Sequence, residues 1–599
     1  MRPISTRSPR SLRLPRSFRF IDLPLIVALA LLPLSAGKAA NAPTPGKSVR
    51  EKPGRCDKPG ATTLLRDGYM LQADGNSEDA LKTYQACVKA DPNCADCWYE
   101  MGWSYWKLGD WSEVLRVWKQ TLILDPLHPE VPRFLPTAKA NQLAIEQKVF
   151  RKDLARGVEL QSQSSPPDAP VKLTYVSRWQ SYNKNAEDPL DRFDLNIDSP
   201  KSVNFSPDSK VVMVNSLEGA KTVVFNASGT EKLGVVAHRF SGRSPDLNLF
   251  SSIPPFDYKF PLQPKKLQQF VGKPVEGQFT HGGKYFWVPY YRRSWDQMSQ
   301  WPSAMAVIDV STRRIRRVFH TGPIGKYVRV SPDGRKLAVS HWGDNTVGIW
   351  NIEGDEPSSW KEERLLIVER RLAGKEMQGD RDKNCGYCIR GLAFTPDSRF
   401  LMVGRMRKGG LSFFDLTRPD QREILTVDGL APGPRDLHVS HDGKYLYISC
   451  NLTGYVWRVP LNSLMKLVHQ QAQRSPAEKA SAPRHIEIEA KDVGASKAFV
   501  GLGVRSIKLS PHDDYVFAAV NQTSEVVVVR TKDMTLVSRI TVDSYPVGLD
   551  LSPDGAQLWV TAQGREAKGG NSVGILEVRY AYADVIKKTD IRSAEPKAP

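Results

Sequence analysis

The chain has 599 residues, 40% of them hydrophobic, and carries a formal net charge of +19. This length and apolar content supply enough material for two or more hydrophobic cores, so they argue against a single small domain and predict a multidomain soluble protein. The positive charge bears on what the protein associates with rather than on its fold.

The N-terminal segment, residues 1–42, has the layout of a secretory signal peptide. Six arginines precede the apolar run Leu23–Leu34, and small residues follow it. The run has 12 residues, whereas a helix needs roughly 20 to span a bilayer, so we expect cleavage and no retained transmembrane span. Cleavage leaves 77 basic and 64 acidic side chains, a net charge of +13. We therefore predict a periplasmic or secreted protein that meets polyanions of the cell envelope rather than nucleic acid.

A linker at 43–60 leads to a predicted helical domain at 61–157, in which the sequence repeats at a spacing of 34 residues. Three residue pairs recur at this spacing: Gly68 and Gly102, Tyr84 and Trp118, Pro92 and Pro126. With the phrase WYEMGWSYWKLGDWSEVLRVWKQTLILDP, the pattern resembles tetratricopeptide repeats, whose stacked helix pairs form a groove. The resemblance implies docking of a partner protein or peptide. The alternative is a helical spacer packed on the next domain, and the helical stretch up to residue 157 would cap the stack.

Seven cysteines in an exported chain predict disulfides with one thiol left over. On the second helix of the first repeat, Cys87 faces the first helix of the next one, so we expect a bridge to Cys97 or Cys94. Cys385 and Cys388 are expected to form another bridge within a loop. Because neither C-x-x-C pair precedes a histidine, haem attachment is not predicted. We also predict no metal site and no cofactor.

A second linker at 158–170 precedes residues 171–580, which contain seven copies of one phrase: an apolar alternation, a Ser or Thr, a tight polar turn and a second apolar stretch. Each copy predicts a hairpin of two strands. The anchoring residues are Ser206, Thr280, Ser331, Thr395, Ser440, Ser510 and Ser552. The shortest intervals between anchors, 42 and 45 residues, match the roughly 40 to 50 residues of a four-stranded propeller blade. Seven hairpins therefore predict seven blades.

The phrase HTGPIGKYVRVSPDGRKLAVSHWGDNTVGIWNI resembles the YVTN family of bacterial β-propellers, relatives of the WD-repeat and lactonase-like propellers. The fold class that follows is α plus all-β: a short helical repeat module, then a seven-bladed propeller with insertions at 241–277 and 461–500 and a tail at 581–599. The last blade has three strands of its own, so we expect Val171–Trp179 to close the ring. The family includes binding proteins, surface proteins and some enzymes, so the fold leaves the function open.

Counting back five residues from each anchor identifies one position of the repeat that is rich in cations. The seven residues are Lys201, Val275, Lys326, Arg390, Arg435, Arg505 and Val547. Each is expected where the innermost strand of a blade begins, at the mouth of the central channel. Loops at the same end of the propeller add Arg292, Arg405 and Trp342. Such a basic, aromatic-edged funnel suits a carboxylate or phosphate; the alternative is an ordinary solvated rim.

Three functions are compatible with these features. The first is an exported binding or scaffold protein of the cell envelope, with helical repeats that dock a partner and a channel that binds an anionic ligand, an acidic peptide or an envelope polyanion. The second is a lactonase-like propeller hydrolase acting on a sugar lactone, and the third is a purely structural envelope protein. No catalytic residue is predicted, since the one G-x-S-x-G string, at 570–574, opens a strand rather than a helix. Binding is favoured over catalysis.

Overall fold

The computed structural model describes residues 56–581 apart from 74–75, 109, 133, 136–137, 140–141, 143–157, 252–254, 259–266, 475–483 and 565–569. The predicted signal peptide, most of the predicted helical cap and the C-terminal tail lie outside these residues. Within the described ranges, no helix combines the length and the apolar character needed to cross a membrane.

The N-terminal region is helical and forms two successive helix pairs. The helices are α1 (Pro59–Ala73), α2 (Ser77–Ala90), α3 (Ala95–Leu108) and α4 (Trp111–Leu124). Each helix packs against the next one along the chain. An ion pair of 2.9 Å joins Lys107 to Asp198 and links α3 to the β-structure that follows.

Helix caps and glycine–aromatic contacts in this region recur at the same spacing of 34 residues as the sequence repeat. The side chains of Asn76 and Asp110, 34 positions apart, cap α2 and α4 by accepting a backbone hydrogen bond of 3.3 Å. A Cβ atom on Gly68 would lie 2.4 Å from the Tyr84 ring, and one on Gly102 would lie 2.0 Å from the Trp118 ring. Glycine at these two positions therefore lets an aromatic ring of the following helix rest on the backbone.

The rest of the described chain forms seven antiparallel sheets, the blades of a seven-bladed β-propeller. The first strands of this region are β1 (Val171–Gln180) and β2 (Asp191–Phe193). Blade 1 contains β3 (Pro200–Phe205), β4 (Val211–Ser216), β5 (Lys221–Asn226) and β6 (Lys232–Ala237). Blade 2 contains β7 (Arg239–Ser241), β8 (Gln269–Pro274), β9 (Gln278–Thr280), β10 (Tyr285–Arg293), β11 (Ala304–Asp309) and β12 (Arg314–His320).

Blades 3 to 5 follow in chain order. Blade 3 contains β13 (Gly325–Val330), β14 (Lys336–His341), β15 (Thr346–Asn351) and β16 (Lys361–Ile367). Blade 4 contains β17 (Ile389–Phe394), β18 (Phe400–Arg405), β19 (Leu411–Asp415) and β20 (Leu425–Asp428). Blade 5 contains β21 (Pro434–Val439), β22 (Tyr445–Cys450), β23 (Tyr455–Pro460) and, after an insertion, β25 (Ser496–Phe499). The insertion holds helix α5 (Leu461–Gln473) and β24 (His485–Glu487), which pairs with β20.

The last two blades complete the ring. Blade 6 contains β26 (Val504–Leu509), β27 (Tyr515–Val520), β28 (Glu525–Arg530) and β29 (Thr535–Thr541). Blade 7 contains β30 (Pro546–Leu551), β31 (Gln557–Ala562) and β32 (Ser572–Tyr580). Its outer strand is β1, which pairs antiparallel with β32, so the N-terminal chain closes the propeller as the sequence predicts.

Buried charges hold this closure together. Arg178 on β1 forms ion pairs with Asp191, at 2.5 Å, and with Asp543, at 3.2 Å. The hydroxyls of Tyr182 and Ser572 also donate to the Asp543 carboxylate. Because every lone pair of this carboxylate meets a donor, the network compensates for taking the charges out of water.

The hairpin phrase has the same structural task in five of its seven copies. In blade 3, the Ser331 hydroxyl donates to Asp333 at 2.5 Å and accepts from the Lys336 backbone N–H at 2.9 Å. The same pair of bonds recurs at Ser206, Thr395, Ser440 and Ser552. The phrase therefore fixes a turn and carries no chemistry of its own.

The hydrophobic core lies between neighbouring blades. Apolar side chains of blades 2 and 3 form one such cluster, around the fully buried Trp287 and Trp350, and similar clusters lie between the other neighbouring blades. The innermost strands β13, β17, β21, β26, β30 and β3 contact one another in that order and line the channel.

Candidate functional site in the propeller channel

The cation position of the repeat coincides with a β-bulge at the start of the innermost strand. In blade 1 the pairing of β3 with β4 skips Lys201, and in blade 3 the pairing of β13 with β14 skips Lys326. The same irregularity lies at Arg390, Arg435, Arg505 and Val547 in blades 4 to 7. A bulge leaves its extra residue outside the ladder and redirects the side chain. In a regular strand, alternate side chains point into the space between blades. The bulge interrupts this alternation, so these side chains can point elsewhere.

The five cations at this position converge. The charge on Lys201 is influenced by Arg505, Arg435 and Lys326, although these residues belong to four different blades. Arg505 and Arg390 in turn act on the charge of Arg435, and Arg390 acts on that of Arg505. Cations from five different blades are therefore close enough for their charges to interact.

On one side of the channel, two of these cations are paired with carboxylates. The Arg390 guanidinium forms an ion pair with Glu276, and both residues are buried. Glu276 lies just before β9 in blade 2, so this pair reaches across blade 3 to blade 4. Arg390 also donates to the Arg435 carbonyl at 3.1 Å.

Lys326 is the second paired cation. Its ammonium lies 3.0 Å from the Asp382 carboxylate, 4.3 Å from the Tyr291 ring centre and 4.9 Å from that of Trp342. The Trp342 indole donates to the Asp382 carbonyl at 3.1 Å. We call Glu276, Arg390, Lys326 and Asp382 the paired side of the channel.

Lys201, Arg435 and Arg505 form the unpaired side. Across the described residues, none of the three has a carboxylate within 4.0 Å. Arg435 is only 6% exposed, yet among the described residues its guanidinium makes a single hydrogen bond, from Nη1 to the Met406 sulfur at 3.7 Å. Its Nε has no hydrogen-bond partner there. The Nε of Arg505 also lacks a partner, while its guanidinium lies 5.3 Å from the Tyr545 ring centre.

Burial and neighbouring cations lower the pKa values of two of these groups, and the more distant Glu276 carboxylate offsets the shifts only in part. Burial, followed by the Arg505 guanidinium, lowers the pKa of the Lys201 ammonium well below its usual value. Burial, then Arg505 and Arg390, likewise lowers the pKa of Arg435. Burial and nearby like charge both disfavour a cation, so a bound anion would relieve the two causes at once.

The five cations at this position of the repeat have two carboxylate partners among the described residues, Glu276 and Asp382, and outnumber them by three. Guanidinium groups present parallel N–H donors that match the two oxygens of a carboxylate or phosphate. A partly enclosed site of one sign also concentrates anions from solution. The arrangement can therefore bind a small anion or an acidic side chain.

Two of the predicted loop cations lie in other surroundings. Arg405 is buried and forms ion pairs with Glu369 and Asp428, so its charge is already compensated. Arg292 donates to the Gln297 carbonyl at 2.5 Å and lies over the Tyr291 ring. Arg405 therefore stabilises blade 4. Arg292 is close to the paired side, because the Tyr291 ring contacts both Arg292 and Lys326.

Disulfides are present in both parts of the chain. Cys385 is bonded to Cys388, in the loop that carries Asp382, and both sulfurs pack beside Trp342. In the helical region Cys87 is bonded to Cys97, one of the two partners left open by the sequence. A further bond joins Cys56 to Cys94, and Cys450 is a free, buried thiol.

Exposed apolar side chains border the unpaired side. Leu452, Phe499 and Leu502 are 60%, 55% and 53% exposed. Phe499 ends β25, Leu502 follows it, and Leu452 lies in the turn between β22 and β23. The Gly503 N–H joins the two segments by donating to the Asn451 carbonyl at 3.0 Å. An apolar rim next to a basic funnel offers contacts for an acidic ligand that also carries apolar groups.

The comparisons with known proteins bear on the fold. Residues 307–568 match the family described as "Lactonase, 7-bladed beta-propeller". No curated protein matches the chain. Among solved structures, hydrazine synthase of Kuenenia stuttgartiensis is 13% identical, with 66% of this chain and 99% of that chain covered and a TM-score of 0.41. The Cps50 (Swd1) β-propeller domain of Myceliophteria thermophila is 11% identical, with 64% and 97% covered and a TM-score of 0.41.

Three residues of the channel were missed by the sequence analysis. Glu276 follows Val275, which occupies the cation position of the repeat in blade 2. Inspection of the residue after that position in each copy would have identified it. Asp382 lies in an insertion and Tyr545 precedes β30, and neither is marked by the repeat. Only the folded ring brings them next to Lys326 and Arg505.

Proposed function

We propose that this chain is an exported binding protein of the cell envelope whose propeller channel holds an anionic ligand or an acidic peptide. The observation that carries the proposal is that three cations, Lys201, Arg435 and Arg505, have no carboxylate within 4.0 Å among the described residues. Leaving one polar group buried without a partner costs about 1–3 kcal/mol, and more for a charge. Such an arrangement is kept where a ligand supplies the missing charge.

The helical region is proposed to dock a protein partner. Its support is the recurrence, 34 positions apart, of the same caps and of the same contact between a glycine and an aromatic ring. This is the packing expected of tetratricopeptide repeats, which act as interaction modules. Export rests on the signal-like segment at 1–42.

The test is a binding measurement on the full chain with two probes, inorganic phosphate and a short oligo-aspartate peptide. We expect calorimetry to detect binding of at least one probe, and we expect it to weaken with salt because the Debye length falls from about 10 Å at 0.1 M to about 3 Å at 1 M. The triple variant Lys201→Met, Arg435→Met, Arg505→Met should abolish it.

A matched control removes three cations from the opposite end of the propeller. Lys210, Arg335 and Lys444 lie in or beside the hairpin turns and have exposed side chains. Replacing all three by Met changes the net charge equally and should leave binding intact. Equal binding by both triple variants would contradict an anion site in the channel.

A lactonase-like hydrolase is the second candidate, favoured by the family match over residues 307–568. In that case a carboxylate such as Glu276 would activate water, and Arg435 would stabilise the oxyanion of the tetrahedral intermediate that forms when this water attacks the lactone carbonyl, before the ring C–O bond breaks. Hydrolysis of a sugar lactone by the full chain, lost in both Glu276→Gln and Arg435→Met variants that remain folded, would replace the binding proposal with this one.

A further inference from the structure

Four cysteines of the helical region form one cluster of sulfur atoms. The Sγ atoms of Cys56, Cys87, Cys94 and Cys97 all lie within 4.8 Å of one another, and three of the four residues are buried. Two disulfides could cross-link a helical region at two distant points. Here they lie against each other, at the junction of α1, α2 and α3.

The distances between the two disulfides suit a tetrahedral site. Cys94 Sγ lies 3.2 Å from Cys97 Sγ, and Cys56 Sγ lies 3.8 Å from Cys97 Sγ. A Zn²⁺ ion with four sulfurs at about 2.3 Å has sulfur–sulfur edges of about 3.8 Å. Small movements of the side chains would therefore convert the cluster into a four-thiolate shell.

The position of two of the cysteines at a helix N-terminus favours thiolates. Cys94 immediately precedes α3 and Cys97 lies in its first turn, where the helix dipole stabilises negative charge. The Cys97 backbone N–H points to the Cys94 sulfur at 3.4 Å. Ala61, Leu64 and Leu65 of α1 pack around the sulfurs and shield them from water.

We propose that, once reduced, these four cysteines bind a single Zn²⁺ ion or another divalent metal that prefers tetrahedral sulfur ligands. A dithiol reductant breaks the bonds Cys56–Cys94 and Cys87–Cys97, delivers two electrons and two protons to each, and becomes a cyclic disulfide. The four thiols then lose four protons as four metal–sulfur bonds form. All four positions are filled by protein, so the site is structural, and it replaces two covalent links by one metal link.

The experiment uses the full chain and Co²⁺ as a spectroscopic probe, because tetrahedral Co²⁺–thiolate centres absorb visible light. The chain is reduced with a dithiol under anaerobic conditions, freed of reductant and titrated with Co²⁺ and then Zn²⁺. We expect about one Co²⁺ per reduced chain, displacement by Zn²⁺, and no binding to the oxidised chain. If the reduced wild-type chain takes up less than about a tenth of an equivalent, the proposal is overturned.

Two double variants show which cysteines bind the metal. Cys385→Ser with Cys388→Ser removes the other C-x-x-C pair and should keep full Co²⁺ binding, whereas Cys94→Ser with Cys97→Ser should lose it. Retention of one equivalent by the second variant would place the metal elsewhere and refute the assignment. The wild-type comparison of reduced and oxidised chain decides the question even if the second variant does not fold.

Discussion

The two sides of the propeller channel are built from the same position of the repeat and differ in how their charges are compensated. On the paired side, Arg390 and Lys326 each meet a carboxylate, from Glu276 and Asp382. On the unpaired side, Lys201, Arg435 and Arg505 come from blades 1, 5 and 6, and none of them has a carboxylate within 4.0 Å among the residues that the structure describes. The same bulge at the start of an inner strand thus stabilises the fold in one half of the ring and leaves charge available in the other.

This difference separates a structural role from a binding role. Removing one partner of a buried ion pair leaves the other charge without compensation, which is costly, whereas removing a lone buried charge takes a cost away. Mutations on the two sides should therefore have opposite effects on stability, and their effects on anion binding should differ as well.

The largest effect is expected from Glu276→Gln on the paired side. It leaves the buried Arg390 guanidinium unpaired, so the free energy of unfolding should fall by about 3–5 kcal/mol. Urea denaturation of the full chain, followed by tryptophan fluorescence, measures this change. The control Glu353→Gln removes an acid from an exposed pair whose carboxylate side chain is 56% exposed, and should change stability by less than about 1 kcal/mol. Equal effects of the two variants would show that the paired side is not structural.

Next in size is Arg435→Met on the unpaired side. A hydrogen bond to a charged group contributes about 1.5–3 kcal/mol, so anion affinity should fall roughly 10- to 100-fold. Stability should stay equal or rise, because a poorly compensated guanidinium is removed. Calorimetry and urea denaturation report the two quantities, with Lys210→Met as the control for charge. A large loss of stability would mean that Arg435 belongs with the paired side.

The pH dependence of binding is a third test. Burial and Arg505 lower the pKa of Lys201, and only the protonated ammonium attracts an anion. At pH values where the ligand itself is ionised, binding should therefore weaken as the pH rises through this lowered pKa, which lies below the usual value for lysine of about 10.4. Above it the protonated fraction falls about tenfold per pH unit. The variant Lys201→Arg stays charged to higher pH and should flatten the profile measured by calorimetry. An identical profile in both proteins would assign the titration to another group.

The smallest effect is expected from Asp382→Asn, which converts a paired cation into an unpaired one. The Asp382 side chain is 36% exposed, so stability should fall by only about 0.5–1 kcal/mol. Lys326 is then free to join the anion site, and affinity should rise a few-fold. Thermal unfolding and calorimetry test both parts; a lower affinity would show that Asp382 contacts the ligand rather than competing with it.

The repeat made much of the fold predictable. Short-range turn chemistry at Ser331 and Asp333 recurs along the chain, so the number of blades could be counted before any contact was known. Closure by Val171–Trp179 followed from the missing fourth strand of the last blade. The cation position was visible for the same reason, since it keeps a constant distance from each anchor.

What the sequence by itself determined is therefore the local and repeated part: the helical region, the seven blades and the ring of cations. Tertiary structure decided which cations are compensated, because Glu276 and Asp382 reach their partners across blades and from an insertion. It also gathered four cysteines into one cluster, although Cys56 lies far from Cys94 and Cys97 along the chain. Electrostatic energy depends on separation in space and on burial, and neither is encoded by spacing along the sequence.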